Sequence, residues 1–251
     1  RHPRHGIMNI DVLSFERLAY RILEETGGAD KVVLDDEGKN FVLRKVAAGK
    51  ADFLRGLGAN IRKPGYISEV KSVISELAQY DVKANEMAPM LEIAPEHSYL
   101  HYKLMDIQTL YQAFEDYLEE KYITREELLE LLCSQMGKSR ILKNAVVAMD
   151  GFTGFTPIQN KVLGELLACC ETVYVTVTID LKEDPYQYGD KYQLFALSKQ
   201  MVHALTEICR ERKIEVSEVR MPANPVYRFC EKPALGWMEK YLFRYPVRQY
   251  K

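Results

Sequence analysis

The chain has 251 residues, of which 47% are hydrophobic and 28% are charged, and this balance is typical of a globular protein with a substantial core. The formal net charge of -2 gives no global signal for nucleic acid or for an anionic membrane, so any DNA contact must come from a local patch. The sequence contains no run of about 18 apolar residues, so it predicts no transmembrane helix. The basic N-terminus lacks the apolar core of a signal peptide. Because the chain does not begin with Met, we expect a piece of a longer protein.

The five cysteines are an odd number and none of them has C-x-x-C spacing. This pattern predicts buried free thiols in a reducing cytoplasm rather than a disulfide framework or a metal site. The residues are Cys133, Cys169, Cys170, Cys209 and Cys230.

The N-terminal part of the chain predicts two strand–helix units. Residues 9–13 and 32–34 are predicted strands, and helices are expected to follow over 15–25 and from Asp35-Asp36 to about residue 46. Ser14 is a plausible N-cap, and Gly27-Gly28 is a plausible stop for the first helix. A linker is predicted where Gly56, Gly58 and Lys63-Pro64-Gly65 punctuate the chain.

Helical spacing of apolar residues continues from Tyr66 to about Met136. Thr124-x-x-Glu127 is a capping-box pattern that opens the last segment. Because no strand pattern interrupts this stretch, we expect an all-helical insertion. The predicted division is therefore a first α/β part over 1–62, a helical insertion over 63–142 and a second α/β part over 143–251.

The C-terminal part again alternates strands and helices. Predicted strands cover 145–149, 173–179 and 214–219, and predicted helices cover 157–169, 193–212 and 234–242. Pro157 suits the first turn of its helix. Strand–helix–strand order favours parallel strands joined by right-handed crossovers, so the fold class is α/β.

Asp150 follows the strand at 145–149, at the end where function collects in open α/β sheets. An acid here can hold Mg²⁺ in an ATP-hydrolysing enzyme, and a second acid usually follows it to orient water. Gly151 cannot take that second role, and Asp is also common in turns and at helix N-caps. Gly137-Lys138-Ser139 mimics the end of a phosphate-binding loop but is better explained as a helix C-cap. We therefore do not expect this chain alone to hydrolyse ATP.

Several basic residues are candidates for phosphate contacts, and aromatic residues near them in sequence are candidates for stacking on single-stranded bases. The alternative is ordinary surface charge. His97 and His101 are four residues apart on a predicted helix, but a solvated helix face explains them better than a metal site. The basic candidates are Arg55, Arg62, Lys63, Lys138, Arg140 and Lys143, and the aromatic ones are Phe53, Tyr66 and Phe155.

Three motifs in this order resemble one known family. They are VLSFERLAYRILEETGG at 12–28, LDDEGK at 34–39 and MDGFTGFTP at 149–157, with NPVYRF at 224–229 and LFRYP at 242–246 closing the pattern. The combination resembles the B subunit of the bacterial AddAB (RexAB) ATP-dependent helicase–deoxyribonuclease. The resemblance runs along the whole chain and implies an internal fragment of the helicase-like region.

The resemblance implies a RecA-like parallel sheet of the P-loop NTPase type, with a helical insertion, as in superfamily I helicases. Ser14, Phe15 and Arg17 would then match a motif that contacts single-stranded DNA, and Arg62, Lys63, Lys138, Arg140 and Phe155 are further DNA candidates. Asp150, Gly151 and Gln159 would be the remnant of a nucleotide and Mg²⁺ site. Gly151 stands where the family's motor pattern has Glu, which fits a largely non-catalytic scaffold that scans for Chi sequences.

The resemblance also implies partners and cofactors. The partners would be the A subunit, in a heterodimer, and single- and double-stranded DNA, without a membrane, and the location would be cytoplasmic. ATP, Mg²⁺ and a 4Fe-4S cluster would belong to regions outside this chain, so no cofactor and no catalytic residue is expected within it. Two alternatives remain: an active ATP-dependent helicase motor, and a helical protein-interaction module without a DNA role.

Overall fold

The computed structural model describes most of the chain, in several stretches. These are residues 9–28, 31–119, 121–180, 183–187, 189, 191–220, 229, 231–242, 245–246 and 248–250. Cys230 and residues 224–228 of the closing motif lie outside them. The chain divides into two compact units: unit 1 is Arg1–Val147 with Phe155–Val173, and unit 2 is Ala148–Gly154 with Tyr174–Lys251.

Nine α-helices and four short strands form within the described residues. In chain order they are α1 (Phe15–Thr26), β1 (Val32–Val33), α2 (Asp36–Lys50), α3 (Pro64–Gln79), α4 (Ala88–Ile93), α5 (Tyr99–Leu118), β2 (Tyr122–Ile123), α6 (Arg125–Met136), β3 (Val146–Met149), α7 (Pro157–Cys169), β4 (Thr172–Val175), α8 (Ala196–Arg212) and α9 (Pro233–Tyr241). Two single 3₁₀ turns, Ala51–Phe53 and Ala84–Glu86, complete the set. No described helix is both long and apolar enough to cross a membrane.

The main core of unit 1 lies between α2, α3 and α5. Leu43, Ile74 and Phe114 are among its fully covered side chains, and Tyr111 donates a hydrogen bond from its hydroxyl to the Val82 carbonyl oxygen. Burial of apolar area of this kind is the dominant favourable term in folding. The core unites residues from both sides of the predicted 62/63 boundary, and the three-part division stays a prediction.

The first sheet contains a strand that the sequence did not reveal. β1 pairs in parallel with β2, with Val32 opposite Tyr122 and Val33 opposite Ile123. The expectation of an uninterrupted helical stretch from 66 to 136 is therefore wrong. A two-residue strand carries no periodicity to detect, and its conformation depends on a partner about ninety residues away.

A second group of helices in unit 1 packs α6 between α1 and α7. Their ends follow local signals. Thr124 and Thr156 each form a capping box, with Glu127 and Gln159 respectively, and both boxes fix the first residue of the helix that follows. The predicted N-cap Ser14 and the predicted start of α7 at Pro157 are confirmed.

The second sheet pairs β3 with β4 in parallel. The amide of Glu171 donates to the carbonyl of Ala145 at 3.1 Å, and the amide of Thr176 donates to that of Met149 at 2.9 Å. The expected α/β class with parallel strands is confirmed at this level.

Three predicted segments differ from the structure. Residues 9–13 and 214–219 form no strand, and the predicted strand 173–179 is β4, which begins at Thr172 and ends at Val175. Residues 9–13, 214–219 and 176–179 have strand propensity but no neighbouring strand among the described residues with which to extend a sheet. The helix predicted from 193 begins three residues later, at Ala196.

Candidate nucleic-acid interface

The first turn of α1 presents the candidate DNA residues that follow Ser14. The Ser14 hydroxyl accepts a hydrogen bond from the Arg17 amide at 3.3 Å, so its role in this structure is to cap the helix. Phe15 is half-buried and Arg17 is exposed. No described carboxylate lies within ion-pair distance of the Arg17 guanidinium, which leaves this cation open to a phosphate.

Phe155 lies directly before the N-cap of α7 and meets Phe15 from α1. The two ring centroids are 6.4 Å apart and the rings are nearly perpendicular, at 89°, in an edge-to-face contact. The contact brings the N-terminal ends of two helices of unit 1 together. Both ends carry partial positive charge from the helix dipole. Aromatic rings beside such ends suit a ligand that has both bases and phosphates.

Lys138 and Arg140 lie near the opposite end of α1. The Glu25 carboxylate accepts from the Ser139 hydroxyl at 2.5 Å and from the Arg140 amide at 2.7 Å, which ties the loop after α6 to the last turn of α1. These hydrogen bonds lower the pKa of Glu25, the one from Ser139 most. At 1.5 Å of rise per residue, Phe15 and Glu25 are roughly 15 Å apart along the helix axis. The two groups of candidates therefore flank one helix.

The segment that mimics a phosphate-binding loop ends α6, as the sequence predicted. Gly137 is the C-cap residue of α6, and the Ser139 hydroxyl accepts from the Leu142 amide at 3.3 Å while it donates to Glu25. The hydroxyl that would bind Mg²⁺ in such a loop is thus committed to protein partners.

Arg62 and Lys63 precede α3, which packs on α2 and α5. Both side chains are exposed. Arg62 and Lys63 thus belong to a different group of helices of unit 1 than the other candidates that the resemblance implied. Those six lie near the two ends of α1: Ser14, Phe15, Arg17, Phe155, Lys138 and Arg140.

The nucleotide-site candidates are each engaged locally. At the end of β3, Asp150 Oδ1 accepts from the Thr176 hydroxyl at 2.6 Å, and the Gly151 amide donates to the same hydroxyl at 3.4 Å. Gly151 has a φ of +79°, which other residues adopt only with strain. Thr176, which follows β4, carried no sequence signal, because only the parallel pairing of β3 with β4 brings it beside Asp150.

Gln159 is the third nucleotide-site candidate, and its side chain caps α7. Its Oε1 accepts from the Thr156 amide at 3.0 Å, and its own amide donates to the Thr156 hydroxyl at 3.4 Å. Among the described residues, no three His, Cys, Asp or Glu side chains are placed to hold a metal ion. A hard divalent cation prefers several oxygen ligands, so these residues do not fit a complete Mg²⁺ site.

Cys133, Cys169, Cys170 and Cys209 form no disulfide, and none of the four is exposed. Burial raises the pKa of Cys133 and Cys170 to about 11, which leaves them protonated and poorly nucleophilic at neutral pH. The prediction of buried thiols without disulfides is confirmed for Cys209, whereas Cys133, Cys169 and Cys170 are only half-buried.

The family model described as ADDB, N-terminal matches residues 1–239 of the chain. The chain belongs to the ADDB N-terminal family. A relative from Lachnoclostridium phytofermentans, named as the B subunit of an ATP-dependent helicase/deoxyribonuclease, is 44% identical over 99% of this chain and 22% of its own length. Relatives of the same name from Desulforudis audaxviator and Clostridium novyi are 33% and 30% identical, each over 98% of this chain and 21% of their own length.

The ADDB match confirms the resemblance that the three sequence motifs indicated. The chain spans about a fifth of the length of these curated relatives. The ADDB family motif at 12–28 forms α1 with its cap, and the motif at 149–157 carries Asp150, Phe155 and the start of α7.

Proposed function

We propose that this chain is the helicase-like N-terminal part of an AddB-type subunit and that it holds single-stranded DNA during double-strand-break repair and homologous recombination. The observation that carries the proposal is the contact of Phe15 with Phe155 at two adjoining helix N-termini, beside Arg17, whose guanidinium pairs with no described carboxylate. Aromatic rings stack on bases of any sequence, while cations and helix ends attract the phosphates.

The proposal includes a RecA-like architecture and a chain that does not itself hydrolyse ATP. Parallel pairing of β3 with β4 across α7 supports the architecture. Gly151 in place of an acid, Gln159 in a helix cap and Ser139 bound to Glu25 support the lack of hydrolysis. ATP, Mg²⁺ and a 4Fe-4S cluster would serve other regions of the full-length protein.

The partners in this proposal are a helicase–nuclease A subunit, in a cytoplasmic heterodimer, and DNA in single- and double-stranded form. The relatives, which are named as B subunits, support the existence of a second subunit. Scanning of the passing strand for Chi would then be a function of the α1 surface, defined here by Ser14, Phe15, Arg17 and Phe155.

A series of substitutions at Phe155 tests the DNA-binding proposal. Base stacking needs an aromatic ring, so we expect Phe155→Leu in the full-length protein to weaken oligothymidylate binding about ten-fold, whereas Phe155→Tyr retains it. Fluorescence anisotropy gives the affinities, and thermal unfolding checks that both variants fold. Equal affinities for the Leu and Tyr variants would contradict the proposal.

A further inference from the structure

A second basic and aromatic surface lies where α3 and α5 begin, away from the α1 surface. It is formed by residues of unit 1 that precede or open these two helices. We call it the α3–α5 surface, and its members are Phe53, Arg55, Lys63, Tyr99, Tyr102 and Lys103.

Close contacts join the turn that contains Arg55 to Tyr102 and Lys103, although about fifty positions separate them in sequence. A Cβ atom on Gly56 would lie 3.0 Å from the Lys103 amide nitrogen, so the turn containing Gly56 rests directly on the first turns of α5. The Arg55 guanidinium lies 5.9 Å from the centroid of the Tyr102 ring. Tyr99, the first residue of α5, lies near enough to Tyr66 in the first turn of α3 for hydrogen bonding between the side chains to raise the pKa of Tyr66.

A buried carboxylate holds the Arg55 turn in place. Asp106 is 4% exposed and accepts hydrogen bonds from the amides of Arg55, Gly56 and Leu57 at 3.1, 2.7 and 2.7 Å. Three charge-assisted hydrogen bonds to one carboxylate fix the backbone on both sides of the turn. The position of Arg55 is therefore set before any ligand arrives, which lowers the entropic cost of binding.

A left-handed residue completes the support for Tyr102. His97 has a φ of +62°, a conformation that costs energy for a residue with a side chain, and its Nδ1 lies 3.1 Å from the Tyr102 hydroxyl. The His101 ring meets the Tyr102 ring nearly edge-on, with centroids 6.0 Å apart. His97 and His101 therefore both contact Tyr102 and help to hold its ring in place.

The cations of this surface differ from the paired lysines elsewhere in unit 1. Lys39 pairs with Glu126 at 2.9 Å and Lys161 pairs with Asp81. No described carboxylate pairs with Arg55, Lys63 or Lys103, although Asp52 and Glu96 are nearby in sequence. Phe53 and Tyr99 expose 75% and 64% of their surface, so both rings are accessible to a ligand.

We propose that the α3–α5 surface binds single-stranded DNA as a second contact, with phosphates on Arg55, Lys63 and Lys103 and an unpaired base on Phe53. The proposal depends on the proposed function only for its choice of ligand, because it shares no residue with the α1 surface. Exposed Phe53 favours a single strand over a duplex, whose bases are already stacked on one another.

The test uses the full-length protein and a fluorescently labelled oligothymidylate, titrated at several salt concentrations. Arg55→Ala/Lys63→Ala removes two exposed cations from the surface, and Arg44→Ala/Lys121→Ala removes two exposed cations elsewhere in the unit. Each phosphate contact on a single strand adds about 0.7 to the salt slope, so we expect the first pair to lower the slope by about 1.4 and the control pair to leave it unchanged.

Stacking of a base on Phe53 is tested by a separate variant and its matched control. We expect Phe53→Ala to weaken binding about ten-fold. Phe41→Ala, which removes another exposed ring, from α2, should leave the affinity at its original value. Unfolding temperatures equal to that of the unchanged protein show that each variant folds.

The outcomes separate this inference from the proposed function. If the Arg55/Lys63 variant loses affinity for oligothymidylate and Phe155→Leu does not, the result supports the α3–α5 surface and contradicts the α1 surface. If Phe155→Leu loses affinity and the Arg55/Lys63 variant does not, the result overturns the α3–α5 surface alone. Equal binding by the Arg55/Lys63 and Arg44/Lys121 variants overturns the inference. A loss confined to duplex DNA overturns it as well, because Phe53 would then have no base to stack on.

Discussion

At the scale of single residues, Glu25 shows how one carboxylate positions two candidate DNA cations. It holds Ser139 and the Arg140 backbone against the last turn of α1, although its own side chain is exposed. The backbone around Lys138 and Arg140 is therefore held near the last turn of α1. A path for a strand along α1 requires that the backbone be held in this way.

The lowered pKa of Glu25 makes the loop sensitive to acid. Its folded pKa lies below the ordinary value of 4.5, so the carboxylate contributes stability above that value and loses it as the pH falls through the folded pKa. We expect Glu25→Gln to be less stable than the unchanged protein at pH 7, and the difference to disappear as the pH falls below about 4.5. Denaturant unfolding at a series of pH values measures this, with Glu24→Gln, on the neighbouring exposed residue, as the control.

The Glu25 prediction fails in two ways. A difference between Glu25→Gln and the unchanged protein that persists at the lowest pH would show that the carboxylate charge is not its source. An equal loss in Glu24→Gln would show a general effect of charge on α1 rather than the contacts with Ser139 and Arg140.

The sequence predicted a residue's role where that role depends on residues close to it in the chain. The capping role of Ser14 follows from its place before an apolar helical pattern, and the C-cap role of Gly137 follows in the same way. The meeting of Phe15 with Phe155, and of Glu25 with Ser139, joins residues more than a hundred positions apart. No local pattern in one sequence contains that information.

At the scale of elements, α5 is the support on which the helical part of unit 1 is built. Its buried face contributes Leu110, Phe114 and Leu118 to the main core, and its polar Asp106 fixes the turn at residues 55–57. The sequence showed the apolar stripe of α5, which periodicity reveals. It did not show the role of Asp106, because a buried carboxylate is rare without a partner and the partner here is a distant backbone turn.

We expect Asp106→Asn to destabilise the protein by about 2–3 kcal/mol, because an amide group cannot accept three backbone hydrogen bonds and its NH₂ would face an amide donor. The same substitution should weaken binding at the α3–α5 surface through displacement of Arg55. Denaturant unfolding provides the measurement, with Asp116→Asn, an exposed position on the same helix, as the control. Equal stability of the two variants would contradict the assigned role of Asp106.

The strands were the least predictable elements, for a physical reason. Helix α7 matches its prediction because Thr156, Pro157 and Gln159 define its start within four residues. A strand needs a neighbour for its hydrogen bonds, so β2 forms from two residues beside β1, whereas residues 9–13, with apolar Ile10, Val12 and Leu13, remain outside any described sheet. Strand propensity alone did not produce a strand where no neighbouring strand was present among the described residues.

At the scale of the whole molecule, the chain consists of two compact units and spans about a fifth of the length of its relatives. Unit 1 contains both proposed DNA surfaces, and Asp150 with Thr176 belongs to unit 2. The net charge of -2 gives no indication of the proposed DNA partner, because the cations proposed to bind it are few and locally arranged.

The central claim is that this region holds single-stranded DNA and does not use ATP to do so. The most direct measurement is a salt titration of oligothymidylate binding by the isolated 251-residue chain, with and without a nonhydrolysable ATP analogue and Mg²⁺. We predict binding that weakens steeply with salt and is the same in both conditions. No binding at the lowest salt, or an affinity that changes with the nucleotide, would contradict the account.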